Sequence, residues 1–235
     1  MKRIGTVVRL RRYPVKSMRG EDLERVKVES YGFVGDRIYA YVVDHSPNER
    51  FPWMSARQAA EMLLYKPTLL RGDAIEVESP DGKRYSIKDH NLEKSIEDKY
   101  GYEISLKYRE SGCHDSKPIS LLGLQTVRKL EEETRIQELA PERFRANIYA
   151  GWDNDEPFFE DTLVGKQLSI GDHPVKLEVV KKDSRCVIPT LDPINGRASP
   201  EVFETIQTNH AGTLGVYAEV LSTGEIERGD SISLG

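Results

Sequence analysis

Along most of this chain apolar and polar residues alternate over short runs, the period-two pattern of half-buried strands. Strands are predicted at residues 4–10, 23–29, 38–43, 102–108, 119–122, 143–149, 165–170, 175–180, 214–221 and 231–234. Residues 74–78 and 84–87 flank Ser79-Pro-Asp-Gly82 and read as a β-hairpin. Helical spacing is rarer. Leu124, Val127 and Leu130 predict an amphipathic helix over 124–133. Ser55 is placed to cap a short helix over 56–65, which Pro67 limits, and Asp89 to cap one that runs to about Lys99 and ends at Gly101. A last helix is predicted at 200–207. Turns are expected at 31–37, Gly171-Asp172, Asp192-Pro193, Asn195-Gly196, Gly224 and Gly229-Asp230.

Strands outnumber helices throughout, which favours an α+β, mostly β architecture of barrel type over a doubly wound parallel sheet. There is no internal repeat, no low-complexity segment and no glycine-rich P-loop or dinucleotide fingerprint. The polar run Arg109 to Pro118 interrupts the pattern and is the expected domain boundary, with an N-terminal module over 1–108 and a second domain over 109–235.

The charge balance narrows the possible partners. Over 235 residues, 34 basic side chains face 39 acidic ones for a net −5, which excludes bulk nucleic-acid binding and leaves room for a local basic pocket. Two cysteines are too few for a disulfide framework or a Cys-only zinc site, and they suit a reducing compartment. The first residues lack the apolar run of a signal peptide, and no apolar run reaches the length of a membrane span. A soluble, cytoplasmic, monomeric protein with no membrane partner is expected.

The richest chemistry lies in residues 183–196. Arg185 stands directly before Cys186, and a guanidinium near a thiol favours the reactive thiolate. Val187 and Ile188 are expected to end a buried strand, placing the sulfur where a rigid element meets a loop. The alternative is an inert buried thiol. Lys16, Ser17 and Arg19 form either a phosphate grip or a solvated loop, and Arg37 next to Asp36 is either a fixed functional cation or a plain ion pair. Cys113-His114-Asp115 hints at a metal or a nucleophile, although a metal normally needs more ligands on rigid elements.

Taken in order, several stretches resemble the MOSC family, the molybdenum cofactor sulfurase C-terminal domain proteins. Tyr13-Pro-Val-Lys-Ser17, Gly35-Asp-Arg37 and Ser55-Ala-Arg-Gln58 resemble its N-terminal β-barrel module. Phe144-Arg-Ala-Asn-Ile148, Glu160-Asp-Thr162, Arg185-Cys-Val-Ile-Pro-Thr-Leu-Asp-Pro193, Gly215-Val-Tyr217 and the closing stretch 224–230 resemble the MOSC domain. The ordered set spans nearly the whole chain and is most similar to the amidoxime-reducing component proteins. The resemblance implies two β-rich modules with a molybdenum cofactor (Mo-molybdopterin) between them and no role for pyridoxal phosphate. It implies that Cys186 ligates molybdenum, that Lys16, Ser17 and Arg37 grip the pterin and its phosphate, and that Arg145, Asn147, Arg185 and Tyr217 add further cofactor contacts. Thr126 falls where the family has a serine near the phosphate. Three departures stand out: Asp183 replaces a common cysteine, Ala146 a usual proline, and Gly123 a residue that often carries a hydroxyl.

The implied activity is reduction of N-hydroxylated compounds such as hydroxylaminopurines and amidoximes. Cleaving an N–O bond takes two electrons, which no side chain named here can cycle, so a cofactor must carry that step. A soft thiolate suits such a metal, and arginine's fork suits a phosphate. Two cysteines cannot supply the four thiolates of an iron–sulfur cluster, so no fused iron–sulfur domain is expected, and electrons would come from a separate ferredoxin- or cytochrome-type protein. The alternative is a sulfur-carrier or cofactor-delivery protein that holds a persulfide on Cys186.

Overall fold

Sixteen strands and three α-helices make up the regular structure of residues 2–48 and 51–235, which this computed structural model describes. In the first half the strands are β1 (Lys2–Arg12), β2 (Glu21–Leu23), β3 (Arg25–Glu29), β4 (Gly32–Phe33), β5 (Tyr39–Val43), β6 (Lys66–Leu69), β7 (Ile75–Glu78), β8 (Arg84–Ser86) and β9 (Ile104–Tyr108), with helix α1 (His90–Tyr100) before the last. In the second half β10 (Ile119–Gly123), β11 (Ile148–Trp152), β12 (Gln167–Ile170), β13 (Val175–Ser184), β14 (Thr213–Ser222), β15 (Gly224–Glu227) and β16 (Ser231–Leu234) are joined through α2 (Leu124–Thr134) and α3 (Pro200–Asn209).

Seven strands run β11-β10-β14-β13-β12-β16-β1, and β1 pairs back onto β11, closing a barrel with no free edge. The mostly β, α+β expectation holds. The alternating apolar residues of these strands point inward: Val7, Leu10, Ile119, Ile148, Leu177, Val216 and Ile232 are all fully buried. Each contributes about 1.5–3 kcal/mol by leaving water. The first strand belongs to both halves of the molecule. Its start pairs with β16, its middle with β11, and its end with β2, with a register shift between Val7 and Arg9. That break turns the chain out of the barrel toward the loop carrying Lys16 and Ser17.

The N-terminal module packs β5–β9, the β6-β7-β8 sheet and α1 around Tyr41, Met54, Met62, Val77, Leu92 and Ile96. The Asp89 side chain caps α1 by accepting from the Asn91 N–H at 2.9 Å, and Gly101 closes it at φ 70°, as the pattern predicts. No described helix is long and apolar enough to cross a membrane.

Five local expectations need correction. The helix over 56–65 is a turn on Ser55 followed by a 3-10 segment, Ala60–Leu64, because the chain must extend at once into β6 to pair with β7. The strand over 23–29 breaks at Glu24, since β2 pairs with β1 while β3 pairs with β15. Residues 143–149 do not form one strand: Pro141 starts a 3-10 turn, Pro141–Phe144, Arg145 is left-handed, and extension begins only at Ile148. Gly224 heads strand β15 rather than a turn. Val187 and Ile188 do not end a strand: β13 stops at Ser184, and Val187 is 44% exposed.

Candidate functional site

A cavity of about 300 Å³ opens between the barrel and the N-terminal module. Eight of the nine side chains singled out from the sequence line it: Lys16, Ser17, Arg37, Arg145, Asn147, Arg185, Cys186 and Tyr217. Thr126 does not. It is fully buried, and its hydroxyl accepts from the Phe158 N–H at 2.8 Å. Arg19 also points elsewhere, toward the Pro193 and Ile194 carbonyls.

Three lining residues hold a left-handed backbone without being glycine: Ser17 (φ 66°), Arg37 (φ 53°) and Arg145 (φ 53°). Such conformations persist only where surroundings enforce them. Here the Arg37 N–H donates to the Tyr13 carbonyl at 2.7 Å, and the Arg145 N–H donates to Glu142 O at 3.1 Å. Both guanidiniums then stack on the Tyr13 ring, with centroid distances of 4.7 Å and 4.4 Å. Tyr217 projects from β14, opposite Ser120 on one side and Lys181 on the other. Gly215, at φ 75°, lets β14 pass close to β10, since a Cβ there would lie 2.8 Å from Leu121 O.

Eight lysines and arginines face two aspartates around this cavity, in a chain whose net charge is −5. Most of these charges are held by specific partners. Lys16 donates to Cys113 O at 2.7 Å and to Asp115 Oδ1 at 2.8 Å, and its ammonium lies 5.3 Å from the Trp53 ring centroid. Burial pushes Lys16 below the ordinary lysine range, against the pull of Asp115. Burial pushes Arg145 down to about 10, and the like charge of Arg37 adds to this. Arg37 feels the same burial, but buried Asp36, which it pairs with directly, more than restores its charge. Asn147 uses its amide to clamp strands: Oδ1 accepts from the Ser120 N–H at 3.2 Å, and Nδ2 donates to Arg11 O at 3.3 Å.

Cys186 is half-buried at the cavity wall. Its sequence neighbour Arg185 turns away, donating to Leu214 O and Phe144 O and pairing with Asp183 at 3.0 Å. The cation set against the sulfur is Arg57, from the N-terminal module, whose charge Cys186 and Asp115 favour against burial. Asp115, from the second domain, joins two cations of the N-terminal module, lying 2.8 Å from Lys16 and 3.4 Å from Arg57. Burial alone pushes the Asp115 carboxyl up, and Lys16 with Arg57 reverses this and holds it below its usual range. On the opposite wall, burial pushes the Asp183 carboxyl up despite Arg185, and burial beside Asp183 pushes the Tyr217 hydroxyl up as well.

The MOSC domain matches residues 108–233, and the MOSC N-terminal beta barrel domain matches residues 4–111. The chain belongs to the MOSC family. A molybdenum cofactor sulfurase of Caenorhabditis elegans is 24% identical over 246 aligned residues, 90% of this chain and 33% of that protein. The chain thus spans about a third of the length of this curated relative. Among solved structures, the YUAD protein from Bacillus subtilis shares the fold, with a TM-score of 0.55 at 13% identity over 97% of this chain and 94% of that one. YiiM from Geobacillus stearothermophilus covers 50% of this chain and 54% of its own, at 18% identity and a TM-score of 0.39. Membership of the MOSC family ties the chain to proteins associated with the molybdenum cofactor.

Within this MOSC fold, sequence reasoning missed Arg57 as a partner of Cys186, although it sits in the quoted Ser55-Ala-Arg-Gln58 stretch. Asp115 works as a link between cations rather than in a metal or nucleophile set. Cys113 faces the apolar core with Ala40 and Trp53, and among the described residues no three His, Cys, Asp or Glu side chains gather as a metal cage. His114 lines the cavity, and burial pushes it down to about 4, so it is neutral at physiological pH.

Proposed function

We propose that this chain holds a molybdenum cofactor in the cavity between its two modules, residues 1–108 and 109–235, and uses it to reduce N-hydroxylated compounds with electrons from a separate protein. The observation that carries the reading is the reversal of charge: eight cations to two aspartates line a cavity with a half-buried thiol at its wall, in an otherwise acidic chain. That donor set fits a phosphate-bearing pterin whose metal takes one soft protein ligand. Lys16, Ser17, Arg37, Arg145 and Arg185 would hold its anionic part, Tyr217 would add a contact, and Cys186 would ligate the metal. Asn147 acts through its strand clamp, and Thr126 falls outside the set because its hydroxyl is already committed.

When bound, molybdenum supplies a two-electron centre able to pass oxygen. The protein's part is binding, orientation and proton supply. Arg57 sets a guanidinium near Cys186. Reduction of an N–O bond consumes protons, and the carboxyl on the wall that burial raises is Asp183, which pairs with Arg185 at 3.0 Å. No pair of thiols lies at the site to relay electrons, since Cys113 is fully buried in an apolar cluster.

The test is expression in a host that makes the cofactor, metal and pterin analysis of the purified chain, and a reduced-viologen assay over several N-hydroxylated compounds. Stoichiometric molybdenum with substrate-dependent dye oxidation is expected; loaded protein that oxidises no dye would overturn the reductase reading. The match to a cofactor sulfurase favours one second reading, a sulfur carrier. In that case a cysteine desulfurase would add sulfane sulfur, seen as a mass shift on the Cys186 peptide.

A further inference from the structure

A second cleft, of about 210 Å³, lies on the other side of Arg145 and Tyr13 from the main cavity. Arg9, Arg11, Arg19 and Arg145 line it, together with Asp22 and Glu142. Two of the arginines are spent on the two acids. Arg9 pairs with Asp22 and, at 2.5 Å, with Glu142; Arg11 lies 3.2 Å from Asp22 and 3.3 Å from Glu142. The other two have no carboxylate partner among the described residues. Arg19 donates to the Pro193 and Ile194 carbonyls, and Arg145 donates to Met18 O at 2.7 Å. The cleft therefore carries an excess of two positive charges.

Its donors are also incomplete. Arg11 is only 4% exposed, and its Nε has no hydrogen-bond partner; the buried Nε of Arg19 is likewise unpaired. Buried N–H groups are seldom left orphaned, and both of these belong to arginines that line the cleft. Burial weakens the charge of Arg19, with Arg11 adding repulsion, and burial does the same to Arg145, with Arg37 adding. An anion would relieve both. The wall is firm as well: the Tyr13 hydroxyl donates to Ala146 O at 3.1 Å, and Arg145 stacks on its ring at 4.4 Å.

We propose that this cleft is a second anion site, built to take the dianionic phosphate group of a small phosphate monoester. Two uncompensated guanidiniums match the two charges of such a group near neutral pH, and guanidinium forks suit its oxygens. The volume lies below the roughly 300–1,000 Å³ of pockets for drug-sized ligands, so the organic stem is a few atoms long. Because Arg145 lines both cavities, an anion here would draw on a cation the main cavity also uses, and the two would compete.

The test titrates the full-length chain at pH 7.5 and constant ionic strength with inorganic phosphate and with glycerol 3-phosphate, following the Nε–Hε resonances of Arg11 and Arg19. Saturable shifts of both are expected, with glycerol 3-phosphate binding more tightly. They should persist in Lys16→Ala, since Lys16 does not line this cleft. Arg19→Gln should weaken binding about tenfold or more, the loss of one charge-assisted contact. Ile194→Asp, at a lip residue 64% exposed and so tolerant of substitution, should weaken it several-fold and decides the matter if Arg19→Gln does not fold. Binding that is lost in Lys16→Ala but unchanged in Arg19→Gln and Ile194→Asp would overturn the proposal. So would the absence of saturable shifts at Arg11 and Arg19, or no gain for the monoester over free phosphate.

Discussion

Replacing Arg145 by methionine should make the cofactor-free protein more stable and worse at holding an anion. The guanidinium is pushed down to about 10 by burial and by Arg37, yet at neutral pH it remains charged. A displacement from its ordinary 12.5 corresponds to about 3 kcal/mol of disfavour on the charged form. Water in the cavity screens part of this, leaving ~2 kcal/mol. Methionine keeps most of the apolar stem but gives up the 2.7 Å bond to Met18 O and the stack on Tyr13, together worth ~1 kcal/mol where solvent can replace the donor. The net is a gain of about 1 kcal/mol, or a rise of about 2–4 °C in Tm. Retention of a phosphate-bearing ligand should fall about 10- to 100-fold with the loss of a charge-assisted contact. Urea denaturation of the cofactor-free chain gives the first number, and cofactor content after dialysis gives the second. A cofactor-free Arg145→Met protein that is 1 kcal/mol or more less stable than wild type would show Arg145 to be a structural strut, and the reasoning would fail. This opposition of stability and function is common where charges are held ready for a ligand.

Other perturbations probe other parts of the site. His114 stays neutral in the folded state down to about pH 4 because of burial, while the unfolded chain takes up the proton near 6.5. Wild type should therefore lose up to about 3 kcal/mol as pH falls from 6.5 to 4, and His114→Gln should lose correspondingly less in denaturation curves across that window. Cys186→Ser should stay folded with reductase turnover gone, whereas Cys113→Ala should keep turnover at a stability loss of ~1–2 kcal/mol, since Cys113 is a small core residue; full activity in Cys186→Ser would remove the sulfur from the mechanism. Arg37→Lys should lower both cofactor content and stability, the latter by ~1–3 kcal/mol in urea, because a lysine cannot serve Asp36, Arg145 O and the Tyr13 face together.

Where one partner sheet sets the spacing, the elements were legible in order and type. Strands β10, β12 and β16 and helices α1 and α2 follow from alternation, from apolar spacing, and from caps such as Asp89 and Gly101. Legibility failed where tertiary partners overrule local preference. The 23–29 run looks like one strand but serves two sheets, and 143–149 looks extended until Arg145 is forced left-handed by the turn that begins at Pro141. At the candidate site, residue identity was readable and side-chain direction was not. Adjacency suggested Arg185 as the cation on Cys186, yet a side chain at the end of β13 can turn inward, and this one bonds Leu214 O, Phe144 O and Asp183.

The sequence by itself therefore determined the mostly β class, the turns, the caps and the set of residue types able to hold an anion beside a thiol, because these depend on local spacing and on side-chain chemistry. Only the tertiary structure decided which of them meet. It brought Arg57 to Cys186 across more than a hundred residues, linked Lys16 to Asp115, left Thr126 outside and placed Arg145 between two cavities. Those contacts depend on barrel closure, in which β1 pairs with β11 and β16 at once, and no local pattern in the chain encodes the distance that closure abolishes.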